Sequence, residues 1–147
     1  MASKPKLTVE EVQEFIRDRS ENNLLLDGQE FTPTVITLAM ELAISAYNTM
    51  PPFSSVNIET FPSKSILLSG TLWKMYAGQA TLLARNTMAY SDGGLQIPIE
   101  ERYELYKSIA ADFQAEFFKE ARDLKTHLNI ESGWGDVPSD YSRFPDW

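Results

Sequence analysis

Ile99-Glu-Glu-Arg-Tyr103-Glu-Leu-Tyr106-Lys-Ser-Ile-Ala110-Ala-Asp-Phe113-Gln-Ala-Glu-Phe117-Phe-Lys-Glu-Ala121-Arg-Asp-Leu124-Lys-Thr-His-Leu128 is the stretch that decides the fold. Ile99, Tyr103, Tyr106, Ala110, Phe113, Phe117, Ala121, Leu124 and Leu128 recur at steps of four and three, which lines one face of an α-helix. Pro98 opens it without losing a needed donor. Glu100, Glu101 and Glu104 sit at the positive end of the helix dipole, and Lys119, Arg122 and Lys125 near the other end. About thirty helical residues span roughly 45 Å, which is long for one domain. The chain has 147 residues, enough for a single core. The apolar face of this helix must therefore be covered by other helices.

Those helices are legible upstream. Ser91-Asp-Gly-Gly94 reads as a turn, with Leu95-Gln-Ile97 a short extended piece after it. Before the turn, Ser63 can cap a helix that reaches about Tyr90. Thr71, Lys74, Gly78, Thr81 and Arg85 form its polar stripe, and its broad apolar side includes Leu67, Leu68, Leu72, Trp73, Met75 and Tyr76. Gly70 and Gly78 each cost about 1 kcal/mol relative to alanine within a helix, so they predict close packing or a kink. Residues 49–63 form a proline-containing loop. Thr32-Pro33 starts another helix that runs to about Asn48, with Thr34, Thr37, Glu41, Ser45 and Asn48 as one narrow polar stripe. Most of its other positions are apolar, so it is expected to be largely buried. Thr8-Val-Glu-Glu11 is a capping box, and the helix after it should reach about Arg19 with Val9, Val12, Phe15 and Ile16 on one face. Asp27-Gly28 marks the turn that follows. The fold class is all-α: a four-helix domain over residues 1–128 with two long helices.

Composition narrows the function. Hydrophobic residues are 43% and charged residues 23%, the balance of an ordinary globular domain. The formal charge is -8 and no Lys/Arg cluster occurs, which disfavours direct binding to nucleic acid or an anionic membrane. Such a surface would let passing DNA slide. Cysteine is absent, which excludes disulfides, thiol catalysis and thiolate metal sites. The N-terminus carries no apolar signal-peptide core. Glu41, Lys74 and Arg85 interrupt the longest apolar stretches, so no membrane span is expected.

No catalytic constellation stands out, and neither a cofactor nor a metal is expected. His127 is the only histidine and is read as a cation near a helix C-terminus. Glu10, Glu11 and Glu14, like Glu100, Glu101 and Glu104, are explained by capping and the dipole. Ser91-Asp-Gly-Gly94 lacks the strand context and lysine of a phosphate loop. Lys74 and Arg85 read as a solvated stripe.

Residues 129–147 are different. They contain Pro138 and Pro145, Gly133 and Gly135, and no period, yet they carry Trp134, Tyr141, Phe144 and Trp147. A disordered tail normally lacks aromatics. The segment is read as an extended C-terminal arm whose four aromatics dock on a partner, against the alternative that it folds back over its own helices. The helices also offer more apolar surface than four elements readily cover, so copies of the chain are expected to associate through Leu68, Leu72, Trp73 and Tyr76. A monomeric bundle closed by the 49–63 loop and the tail is the alternative.

The order of elements resembles the small helical adaptor proteins, or head–tail connectors of the neck, of tailed double-stranded DNA bacteriophages. Leu7-Thr-Val-Glu-Glu-Val-Gln-Glu-Phe-Ile16 is similar to the first helix of many of them, and the run from Leu67 through Arg85 and the arm after Leu128 fit the same plan. The resemblance implies a homo-oligomeric ring, usually a dodecamer, under the portal protein. The ring joins the portal to the tail or head-closure protein and lines the DNA exit channel without binding DNA specifically. It also implies a virion protein assembled in the host cytoplasm, with an arm that engages the portal. A non-viral helical binding module or a DNA-mimicking inhibitor is the competing class. The mixing of acids with Lys and Arg along the last helix weakens the mimic.

Overall fold

Thr8 closes the start of the first helix as its sequence requires. Its hydroxyl accepts from the Glu11 N–H while the Glu11 carboxylate accepts from the Thr8 N–H, a complete capping box. Helix α1 spans Val9–Ile16. It stops short of the expected Arg19 because Arg17 adopts a left-handed conformation, φ 54°, and its N–H returns to Gln13 and Glu14. The computed structural model describes residues 6–23, 28–90 and 99–134 of the chain. The turn at Ser91–Gly94, the Leu95–Ile97 piece and Pro98 lie outside these residues, as does Asp27.

Between α1 and the second helix, one buried carboxylate organises the chain. Asp18 accepts from the N–H groups of Glu30 and Phe31, at 2.8 and 2.7 Å, and from the Asn23 amide at 2.7 Å. A buried charge persists only when hydrogen-bonded in this way. Thr32 then caps α2, Pro33–Thr49, and Pro33 takes the first-turn position. Ser63 caps α3, Lys64–Tyr90, by accepting from the Ile66 N–H. Helix α4 spans Ile99–Trp134. The fold is all-α, and there is no strand among the described residues.

Helix α3 lies between α2 and α4. It approaches both closely at Gly70, where an added Cβ would stand 2.7 Å from the Phe117 ring of α4 and 2.9 Å from the Ala43 Cβ of α2. From there an aromatic seam runs along the antiparallel α3–α4 pair. Trp73 packs on Phe117 and Phe118, and Tyr76 stacks on Phe113 and Tyr106. Ile36, Met40, Ala43 and Tyr47 of α2 and Leu67, Leu72 and Met75 of α3 complete the core.

Two expectations are corrected here. The four-three rhythm of α4 does face inward from Tyr103 to Leu124, but the helix continues beyond Leu128 through Asn129–Trp134. No proline occurs between Pro98 and Pro138, and the His127 ring pairs with Glu131 one turn on, at 3.1 Å. The arm therefore does not begin at residue 129, and Trp134 ends a helix rather than lying in an extended strand. Thr71 is also not part of a solvated stripe. It is fully buried and returns its hydroxyl to the Leu67 carbonyl at 2.7 Å.

Candidate interaction surface

Leu68, Leu72, Trp73 and Tyr76 were the expected contacts between copies, and the chain uses all four internally. Leu72 is buried in the core, Leu68 packs against it, and Trp73 and Tyr76 form the seam with α4. Gly70 lets the Phe117 ring of α4 approach α3 beside Trp73, and Leu68, Trp73 and Tyr76 each remain partly exposed. Of the expected arm anchors, Trp134 ends α4, while Tyr141, Phe144 and Trp147 lie outside the described residues.

Exposed apolar side chains occur on every helix, with Phe15, Leu82 and Leu105 on α1, α3 and α4, but α2 carries three of them on one ridge. Val35, Leu38 and Leu42 remain 43, 55 and 45% exposed, and they recur at the spacing of one helical ridge. Beyond the C-terminus of α2, Phe53 stands 80% exposed. The covered face of α2 meets α3, with lighter contacts to α1, to the following loop and to Lys125 of α4. Helix α2 was expected to be largely buried because its apolar residues nearly encircle it. That same property was the missed signal. In a chain with so few other elements, a helix apolar almost all round keeps one face in water unless a partner covers it.

On the other side of its polar stripe, α2 forms the wall of an open groove. Leu7 and Val9 at the start of α1, Met40 and Ile44 of α2, and Val56 and Ile58 of the following loop line a space of about 540 Å³. The polar lining residues Lys6, Thr8, Thr37, Glu41 and Asn57 are all exposed. The groove is apolar inside, with charge confined to its rim.

The loop that contributes Val56 and Ile58 is held from two directions. Asn48 accepts from the Val56 N–H and the Ser54 hydroxyl, each at 3.0 Å, and its amide donates to the Val56 carbonyl at 2.9 Å. Lys125 of α4 donates to the carbonyls of Met50 and Pro52, at 2.6 and 2.8 Å, and to the Ser54 hydroxyl at 3.2 Å. Its ammonium lies 4.4 Å from the Tyr47 ring centroid, and burial pushes its pKa below the ordinary lysine value. Nothing in the sequence separated this lysine from the surface lysines around it.

The remaining titratable groups serve the frame. Glu11 pairs with Lys64, and this ion pair, with the Thr8 cap, lowers the carboxyl pKa. Lys74 lies 3.8 Å over the Trp73 ring, which accounts for it without an anion site. Glu30 accepts from the Tyr106 hydroxyl at 2.6 Å and the Gln79 amide at 3.1 Å, bridging α3 and α4. Burial first, and then that bond to a carboxylate, raise the Tyr106 pKa to about 12. Among the described residues no cluster of three or more His, Cys, Asp or Glu could hold a metal ion. No helix among them is long and apolar enough to cross a membrane.

No protein-family model matches this chain, and neither a curated protein nor a solved structure matches it.

Proposed function

We propose that this chain is a structural subunit that associates with copies of itself through the α2 ridge and forms a ring. The ring, a dodecamer by the resemblance of the chain to phage neck adaptors, joins a portal protein to a tail or head-closure protein. DNA passes through it without being bound specifically. The protein is then a virion component assembled in the host cytoplasm. The observation that carries this reading is the ridge of Val35, Leu38 and Leu42, large apolar side chains left in water on a folded helix. The net charge of -8 supports a channel wall over a nucleic-acid binder.

Mass measurement of the purified protein, alone and with its portal, tests the proposal. Assembly into a ring is expected, and Leu38→Asp should abolish it while leaving the helical signal and melting temperature intact, since Leu38 contributes little to the core. A chain that stays monomeric in every context, or a Leu38→Asp variant that assembles normally, refutes it. The first outcome would favour a helical binding module that uses the ridge on a different protein.

A further inference from the structure

The geometry points to residues 135–147 of one copy as the occupant of the α1–α2 groove of the next. The inference rests on the reading that copies associate, and it names a second contact between them. Four observations converge. First, the groove is apolar and of about 540 Å³, within the roughly 300–1,000 Å³ range of binding pockets and sufficient for about two aromatic side chains. Residues 135–147 carry Val137, Tyr141, Phe144 and Trp147, which are anchors of that kind. Second, α4 holds one wall of the groove in place, so the acceptor site is preformed. Lys125 is fastened to Met50, Pro52 and Ser54, immediately before the Val56 and Ile58 that line the groove.

Third, the other segments outside the described residues fit less well. Residues 91–98 follow Tyr90, about 39 Å along α3 from Lys64, and Lys64 is the α3 residue that pairs with α1 beside the groove. Residues 24–27 are four residues without an aromatic, between Asn23 and Gly28, which hydrogen-bond to each other at 2.8 Å, and residues 1–5 also contain no aromatic. Fourth, α4 carries the segment away from its own body. Every residue from Thr126 to Gly133 is exposed, and the nine residues from Thr126 to Trp134 project about 13 Å past Lys125. A donor segment and an acceptor groove at different places on one chain make a heterologous contact, the type that closes into a ring.

The absence of native cysteine makes a thiol test clean. Full-length Ile44→Cys and Phe144→Cys variants are mixed in equal amounts under a mild disulfide oxidant. A docked segment presents its thiol at millimolar effective concentration to a chain that is itself micromolar. The mixed pair should therefore cross-link between chains roughly a hundredfold faster than Thr34→Cys with Phe144→Cys. Val56→Cys as the acceptor should give the same result and guards against a local defect at Ile44. Cross-linking only within a doubly substituted chain would overturn the inference in favour of an intramolecular arm. Capture of the groove thiol by Lys4→Cys in place of Phe144→Cys would overturn it in favour of the N-terminal segment. A chain that assembles by mass but gives no cross-link refutes this inference alone, whereas a chain that never assembles refutes the proposed function as well.

Discussion

Gly70 and Gly78 lie eight residues apart in α3, and sequence alone gave both the same reading. The structure separates them. A Cβ at Gly70 would press on the Phe117 ring and on Ala43, whereas nothing lies within 4 Å of one at Gly78. Gly70→Ala gains about 1 kcal/mol of helix propensity but forces overpacking that costs about 1–3 kcal/mol. A net loss of stability is expected. Gly78→Ala keeps the gain without the clash and should stabilise by about 1 kcal/mol. Urea midpoints should move in opposite directions, and midpoints that both rise would mean that Phe117 yields freely. Lys125 makes a second prediction at this scale. Lys125→Met keeps the stem but leaves the Met50 and Pro52 carbonyls without their donor. It should cost about 1–3 kcal/mol, readable in the same titration, and a neutral effect would show that water replaces the ammonium. The lysine was not legible in advance because burial belongs to the assembled helices and not to its neighbours in the chain.

At the scale of elements, local signals worked where local physics decides. The Thr8–Glu11 box, Thr32-Pro33 and Ser63 each place a helix start to the residue, because a cap is a contact between residues three or four apart. Helix ends were less legible. Arg17 terminates α1 without a glycine, and α4 passes through Gly133. Which residues lock α3 to α4 was also beyond the sequence, since Glu30, Gln79 and Tyr106 come from three separate regions. Their bridge predicts a pH effect. Tyr106 titrates at about 12 in the folded chain, against about 10 when unfolded. The folded state therefore holds more protons between these values, and stability falls as pH rises through that window. The stabilisation is fully present below pH 10 and lost as pH approaches 12. Tyr47 and Tyr76 are shifted in the same direction by burial, so the difference between the native chain and Tyr106→Phe is the informative quantity. The variant should be about 1 kcal/mol less stable at pH 8, and the gap should close by pH 12. Thermal melts across that range provide the measurement, and a constant gap would mean that the hydroxyl contributes through packing alone.

For the whole molecule, fold class was legible because four-three periodicity and proline-marked breaks are properties of the linear sequence. The exposed face was not, because it depends on which helix sits in the middle. Leu68, Leu72, Trp73 and Tyr76 read as spare surface in the sequence, but α3 is the central helix and packs all four against the core or α4, while Val35, Leu38 and Leu42 of α2 form one ridge among the exposed apolar residues. Association through that ridge sets two forces against each other. Apolar burial draws copies together, while chains of net charge -8 repel. Salt weakens only the repulsion, shortening the Debye length from about 10 Å at 0.1 M to about 3 Å at 1 M. The mean mass of the native chain should therefore rise with sodium chloride over that range. Leu38→Asp should remain a monomer at both ends of it, because screening cannot restore the lost apolar contact. Dissociation of the native assembly by salt would contradict this balance and would mean that ion pairs hold the copies together. The sign of the salt effect thus separates an apolar ridge interface from an electrostatic one.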